Sequence, residues 1–140
     1  MGLALDDIPE ETKIALLVSA GQSVVRLGEF DKGLEYYEQA LAMEPLEPTA
    51  LKSLGALYLA QDKFDAALKN LDLAIENTSE DQELVDLFFN RGLVYLKMEN
   101  FEEAEYNFEE AYFLAPDDVE ALLGLATVSY THLTLPTSRS

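Results

Sequence analysis

The sequence predicts an all-α solenoid: three helix–turn–helix repeats and the first helix of a fourth. Three observations carry the prediction. Nearly the same amphipathic stretch is written three times, LGEFDKGLEYYEQAL at 27–41, QDKFDAALKNLDLAI at 61–75 and MENFEEAEYNFEEAY at 98–112. Landmarks recur in one register, 34 and then 37 residues apart: Phe30, Phe64 and Phe101; Gly21, Gly55 and Gly92; Ala40, Ala74 and Ala111; and the unit ends Pro45, Ser79 and Pro116. Finally, 49% of the 140 residues are hydrophobic, enough for a buried core. One such unit cannot bury its apolar faces alone, so a fixed period of this length implies stacking.

The elements follow in order. Repeat 1 spans 14–47, and Asp7, Pro9 and Glu10 make a helix start ahead of it. Its first helix carries Leu17 and Gly21; its second carries Phe30, Tyr37 and Ala40. Repeat 2, 48–81, places Leu51, Leu54, Gly55 and Tyr58 at helical spacing, turns through QDKF, and lines up Ala67, Leu71 and Ala74 on one face. Gly55 and Ala67 let the two backbones approach, while Leu51, Tyr58 and Leu71 fill the space around them. Repeat 3, 85–118, follows a three-residue insertion at 82–84 and offers Phe88, Gly92, Tyr95, Phe101, Ala104, Phe108, Ala111 and Pro116. Ser79 and Gln82 have the spacing of a capping box, so the insertion should lengthen the next helix by most of a turn.

A fourth repeat opens at 119–130, where DDVEALLGLATVSY puts Leu122, Leu125 and Ala126 in register. THLTLPTSRS then supplies β-branched residues and a proline, so the helix should break at about Tyr130. The repeat domain is accordingly expected over 1–130, as a fragment of a longer array. Residues 131–140 read as a tail outside the repeats, either disordered or a read-through scar. Leu123, Val128 and Tyr130 are expected on faces that a missing helix or a next repeat would cover, which makes them the candidate oligomer edge.

Composition narrows the function classes. With no cysteine, a disulfide framework, a thiol nucleophile and cysteine-ligated metal are excluded. The one histidine, His132, lies in the distrusted tail, so no nucleophile–base–acid set is available and an enzyme is not expected. Acidic pairs such as Asp6–Asp7, Glu102–Glu103 and Asp117–Asp118 point apart on a helix and do not converge on one ion. There is no calcium loop and no phosphate-binding glycine loop, so no metal and no cofactor are expected. A net charge of −18, from 27 acidic and 9 basic residues, repels phosphate backbones and anionic lipid, leaving protein or peptide as the partner class. No run approaches a membrane span and the N-terminus lacks a signal-peptide pattern, so a cytoplasmic location is expected.

From about Ile14 to Asp118, these residues closely resemble the tetratricopeptide repeat (TPR) family. Ala20, Val24 and Gly33 in repeat 1 and Arg91 in repeat 3 depart from its pattern. The resemblance implies a right-handed superhelical solenoid whose first helices line a concave groove for a peptide or helix of another protein. Mapped onto this chain, the groove positions are Val18, Gln22, Val25 and Arg26; Lys52, Ala56 and Leu59; and Phe89, Asn90, Leu93, Leu96 and Lys97. Three of the nine basic residues fall there, so the expected ligand combines apolar and acidic residues. The alternative is a structural scaffold, or a homo-oligomer stacking through the unfinished C-terminal repeat. Family members that grip chaperone C-terminal tails use a two-carboxylate clamp on this face. Here Val18, Gln22 and Ser53 stand at three clamp positions and only Asn90 is comparable, so chaperone-tail binding is not expected. Phe113 replaces a residue that the family keeps polar, and packing against the extra length of neighbouring helices is its expected role, with a second contact site as the alternative.

Overall fold

The computed structural model describes residues 7–134, and among them every regular element is a helix. In order these are α1 (Glu10–Arg26), α2 (Phe30–Met43), α3 (Pro48–Ala60), α4 (Phe64–Glu76), α5 (Asp81–Lys97), α6 (Phe101–Leu114) and α7 (Val119–Thr134). Three helical hairpins and a single helix result, an all-α solenoid of three repeats and the first helix of a fourth. The chain divides into two compact units, Met1–Asn77 and Thr78–Ser140.

Each hairpin turns the same way because one residue adopts the left-handed conformation: Gly28 (φ 85°), Asp62 (φ 59°) and Glu99 (φ 61°). The next amide then reaches back five residues, Glu29 N–H to Val24 C=O at 2.9 Å, Lys63 to Tyr58 at 2.8 Å and Asn100 to Tyr95 at 2.9 Å. These bonds satisfy carbonyls that a helix end would otherwise leave open. Helix starts are secured more variably. Glu47 accepts from Ala50 N–H at 2.6 Å with Pro48 in the first turn, and Asn100 accepts from Glu103 N–H.

In the N-terminal unit the small residues meet large ones as the register implies. A Cβ on Gly21 would lie 2.5 Å from the Tyr37 ring, and one on Gly55 would lie 2.7 Å from Leu71 Cγ. Gly33 is a compensated departure, since a Cβ there would overlap Val25. Val18, Ala40 and Ala50 form one buried cluster, and Tyr37, Leu54 and Leu57 form another, with Val25, Phe30 and Leu34 against it. In the C-terminal unit Phe108 is the keystone. Its ring is held between Gly92 of α5 and Gly124 of α7, where added Cβ atoms would come within 2.7 and 2.6 Å. Ala104 and Val128 complete that cluster, and Val85, Ala111 and Ala121 form a second.

Three expectations need correction. α5 starts four residues further ahead of its repeat boundary than α3, as the insertion demands, but no Ser79–Gln82 capping box forms. Glu80 is the cap residue without a side-chain bond, and Thr78 Oγ1 instead pairs with Glu83 Oε2 at 2.6 Å. α7 does not break at Tyr130 and runs on to Thr134. Thr127 hydrogen-bonds the Leu123 carbonyl within the helix, and His132 stacks on Phe101 at 4.9 Å. The rest of the expected tail, 135–140, lies outside the described residues. Phe113 does not pack inward; it is 75% exposed on α6.

Candidate functional site

The face positions of each unit can be followed residue by residue. In the N-terminal unit they come from α1 and α3. Gln22 is half-buried, and its amide donates to Ser53 Oγ at 3.1 Å. Ser53 also hydrogen-bonds the Tyr37 hydroxyl, and the Arg26 guanidinium is near enough to act on that phenol. Burial pushes the Tyr37 pKa up, against weaker downward pulls from Ser53 and Arg26. Arg26 itself is exposed in the last turn of α1, where the helix dipole favours a cation. Lys52 is half-buried on α3, followed one and two turns on by exposed Ala56 and half-buried Leu59.

Val18 does not belong to that face. It is 5% exposed and packed with Ala40 and Ala50, because α2 and α3 close over it. Val25 is half-buried over Gly33 and against the Tyr37 cluster, leaving only its edge available. Gln22 and Ser53, which occupy clamp positions, are bonded to each other.

In the C-terminal unit the face is α5. Phe89, Leu93 and Leu96 are half-buried against Ala104, Phe108 and Val128, with the Phe89 and Phe108 rings 5.5 Å apart. Asn90 is half-buried and Lys97 is exposed in the last turn. At the candidate edge, Leu123 and Tyr130 are 58% and 71% exposed, but Val128 is 1% exposed. Its position on α7, one turn after Gly124, points it into the Phe108 cluster, so it is core and not edge.

Besides the Gln22–Ser53–Tyr37 bonds, sequence reasoning missed two arrangements. Arg91, read as a mere departure, donates from Nε to Oδ1 of fully buried Asn107 at 2.6 Å and lies 5.4 Å from the Phe88 ring centroid. Asn107 Nδ2 donates in turn to the Glu103 carbonyl, so its amide is satisfied at both ends. The signal was a polar residue on each of two facing helices of one repeat. His132, set aside as tail, is the aromatic partner of Phe101. Among the described residues there is no group of three or more acids and histidines placed to hold a metal ion, and no helix long and apolar enough to cross a membrane.

Comparison with known proteins agrees with this architecture. Two sequence models of the tetratricopeptide repeat match, over residues 18–81 and 85–118. The tetratricopeptide repeat-containing protein trd-1 of Caenorhabditis elegans is 31% identical over 109 residues, 77% of this chain and 14% of that protein. The TPR repeat-containing protein YpiA of Bacillus subtilis is 27% identical over 126 residues, 90% of this chain and 28% of that protein. The chain thus spans less than a third of these relatives. Among solved structures, the first TPR of Spaghetti (RPAP3), bound to the HSP90 peptide SRMEEVD, superposes with a TM-score of 0.77 at 22% identity, covering 88% of this chain and 95% of that one. On its repeat register, the seven helices among its described residues and these matches, the chain belongs to the tetratricopeptide repeat family.

Proposed function

We propose that the chain is a non-enzymatic, cytoplasmic protein-interaction module whose first-helix faces take a peptide or helix carrying apolar and acidic residues. The observation that carries this reading is the placement of Arg26, Lys52 and Lys97 on those faces in a chain of net charge −18. Half-buried Leu59, Phe89, Leu93 and Leu96 beside them offer partial apolar sites for anchors, and cations at their margins select carboxylates. The peptide-bound neighbour supports peptides as the ligand class, but the chemistry here differs. Val18 is buried and Gln22 and Ser53 satisfy each other, so nothing in the N-terminal unit reproduces the clamp for a chaperone tail.

Selection from a random peptide library tests the reading, run on the parent and on an Arg26→Glu, Lys52→Glu, Lys97→Glu variant. Enrichment of apolar–acidic sequences by the parent alone is expected. Equal enrichment by both, or none by the parent, overturns it.

A second reading, assembly through the C-terminal repeat, rests on exposed Leu123 and Tyr130 together with Leu122. Leu122 holds on α7 the register place that Leu51 holds on α3, where it is buried. Sedimentation velocity of the parent and of Leu123→Ser, Tyr130→Ser decides it. Self-association lost in the variant supports assembly, and a monomeric parent at every concentration removes it.

A further inference from the structure

We infer a second docking surface, separate from the first-helix faces: the outer face of α6, which fits an arginine-bearing segment of another protein. Tyr106 and Phe113 are 50% and 75% exposed. Seven residues apart, they fall within about 20° of each other around the helix and about 10.5 Å along it. Large aromatics half or more exposed on one helix face together make an apolar strip. Phe108, Ala104 and Ala111 already supply the buried side of α6.

The carboxylates say what covers the strip. Glu102, Glu109 and Glu110 lie within about 60° of Tyr106 on the same face. α6 carries five glutamates and no lysine or arginine. Glu109 has its carboxyl pKa raised by desolvation, by a hydrogen bond with Glu105 and by the charges of Glu105 and Glu110, a sign of crowded negative charge. A guanidinium answers both features at once, stacking on a ring face and pairing bidentately with a carboxylate. A second copy of this chain is a poor occupant, since each copy brings a net charge of −18.

The test uses the whole chain and a synthetic 15-residue helical peptide of Ala, Gln and Arg, with arginine at every third or fourth position. A counterpart with glutamate at those places is the control. Amide chemical shifts and calorimetry are followed at physiological salt, where unspecific attraction is screened. Expected shifts concentrate on α6. Tyr106→Ser with Phe113→Ser, which changes no charge, should weaken binding tenfold or more, and Phe113→Ser alone severalfold. Glu35→Gln with Glu38→Gln, on exposed positions of α2, should leave it unchanged. Shifts spread evenly over the acidic helices, undiminished binding by the serine variants, or equal binding of the glutamate peptide would each overturn the proposal.

Discussion

Tyr37 and Phe108 occupy the same register place in repeats 1 and 3, yet their surroundings differ in kind. The Phe108 ring is clasped between two glycines and touched by Phe89. Tyr37 meets one glycine, Gly21, while the helix on its other side offers Ser53, which takes its hydroxyl. The residue facing the ring from the following helix sets the outcome: glycine in α7 at 124, serine in α3 at 53. Where it is glycine, the contact is dry and close. Where it is serine, the contact extends as hydrogen bonds through Ser53 to Gln22. One scaffold position therefore serves cohesion in one unit and organises polar groups in the other.

The sharpest way to break the comparison is to remove the dry contact. Phe108→Ala leaves a cavity between Gly92 and Gly124 that two glycine backbones cannot fill, and it should cost about 3–5 kcal/mol. Denaturant unfolding with amide exchange should localise the loss to α5, α6 and α7. A cost below about 1 kcal/mol would mean that the helices close the gap and the ring is no keystone.

The next largest effect tests the polar contact inside the C-terminal unit. Arg91→Leu restores the family's aliphatic residue but strips buried Asn107 Oδ1 of its partner. An unsatisfied buried acceptor costs about 1–3 kcal/mol, so the apparently conservative change should destabilise. Asn107→Leu added to it removes the orphan and should recover much of the loss. A double-mutant cycle measures the coupling, and additivity would refute the pairing.

Fold and site were unequally legible. The hairpins and most of the small–large contacts could be read from Gly21, Gly55, Gly92 and their partners, because a close backbone approach tolerates few residue types. Face residues were less legible. Val18 and Val128 share a helical stripe with exposed neighbours, and only the roll of each helix against the next decides which of them is covered. The break at Tyr130 failed for another reason. β-branched residues cost a helix only tenths of a kcal/mol each, on the order of 0.5, and α7 recovers this through packing such as His132 on Phe101. The hydrogen bonds linking Tyr37, Ser53 and Gln22 were not legible because they join three different helices.

Tyr37→Phe sharpens the comparison by making the N-terminal ring resemble the C-terminal one. It removes one hydroxyl hydrogen bond, worth about 1 kcal/mol near neutral pH. The pH dependence is more diagnostic. Burial raises the Tyr37 pKa above its ordinary value of 10.0, so the folded chain holds this proton more tightly than the unfolded chain. Stability from Tyr37 is then fully present below pH 10 and falls as pH rises toward the folded pKa. The difference in unfolding free energy between parent and variant should therefore shrink above pH 10. A constant difference would place the phenol in water.

The smallest effect contrasts the turns of the two units. Gly28 adopts its left-handed conformation without a Cβ, whereas Glu99 adopts the same conformation with one. That conformation costs an ordinary residue about 1–2 kcal/mol, partly offset by the greater chain entropy that glycine gives up on folding. Glu99→Gly should therefore stabilise the C-terminal unit by about 0.5 kcal/mol, while Gly28→Ala should destabilise the N-terminal unit by somewhat more. Glu99 is exposed and its side chain forms no cap at this turn, so thermal melts of both variants isolate the backbone contribution. Opposite signs at equivalent positions are required if the five-residue reach of Asn100 and Glu29 depends on the left-handed residue before them. Equal signs would mean that local side-chain contacts, and not the turn conformation, govern the two hairpins.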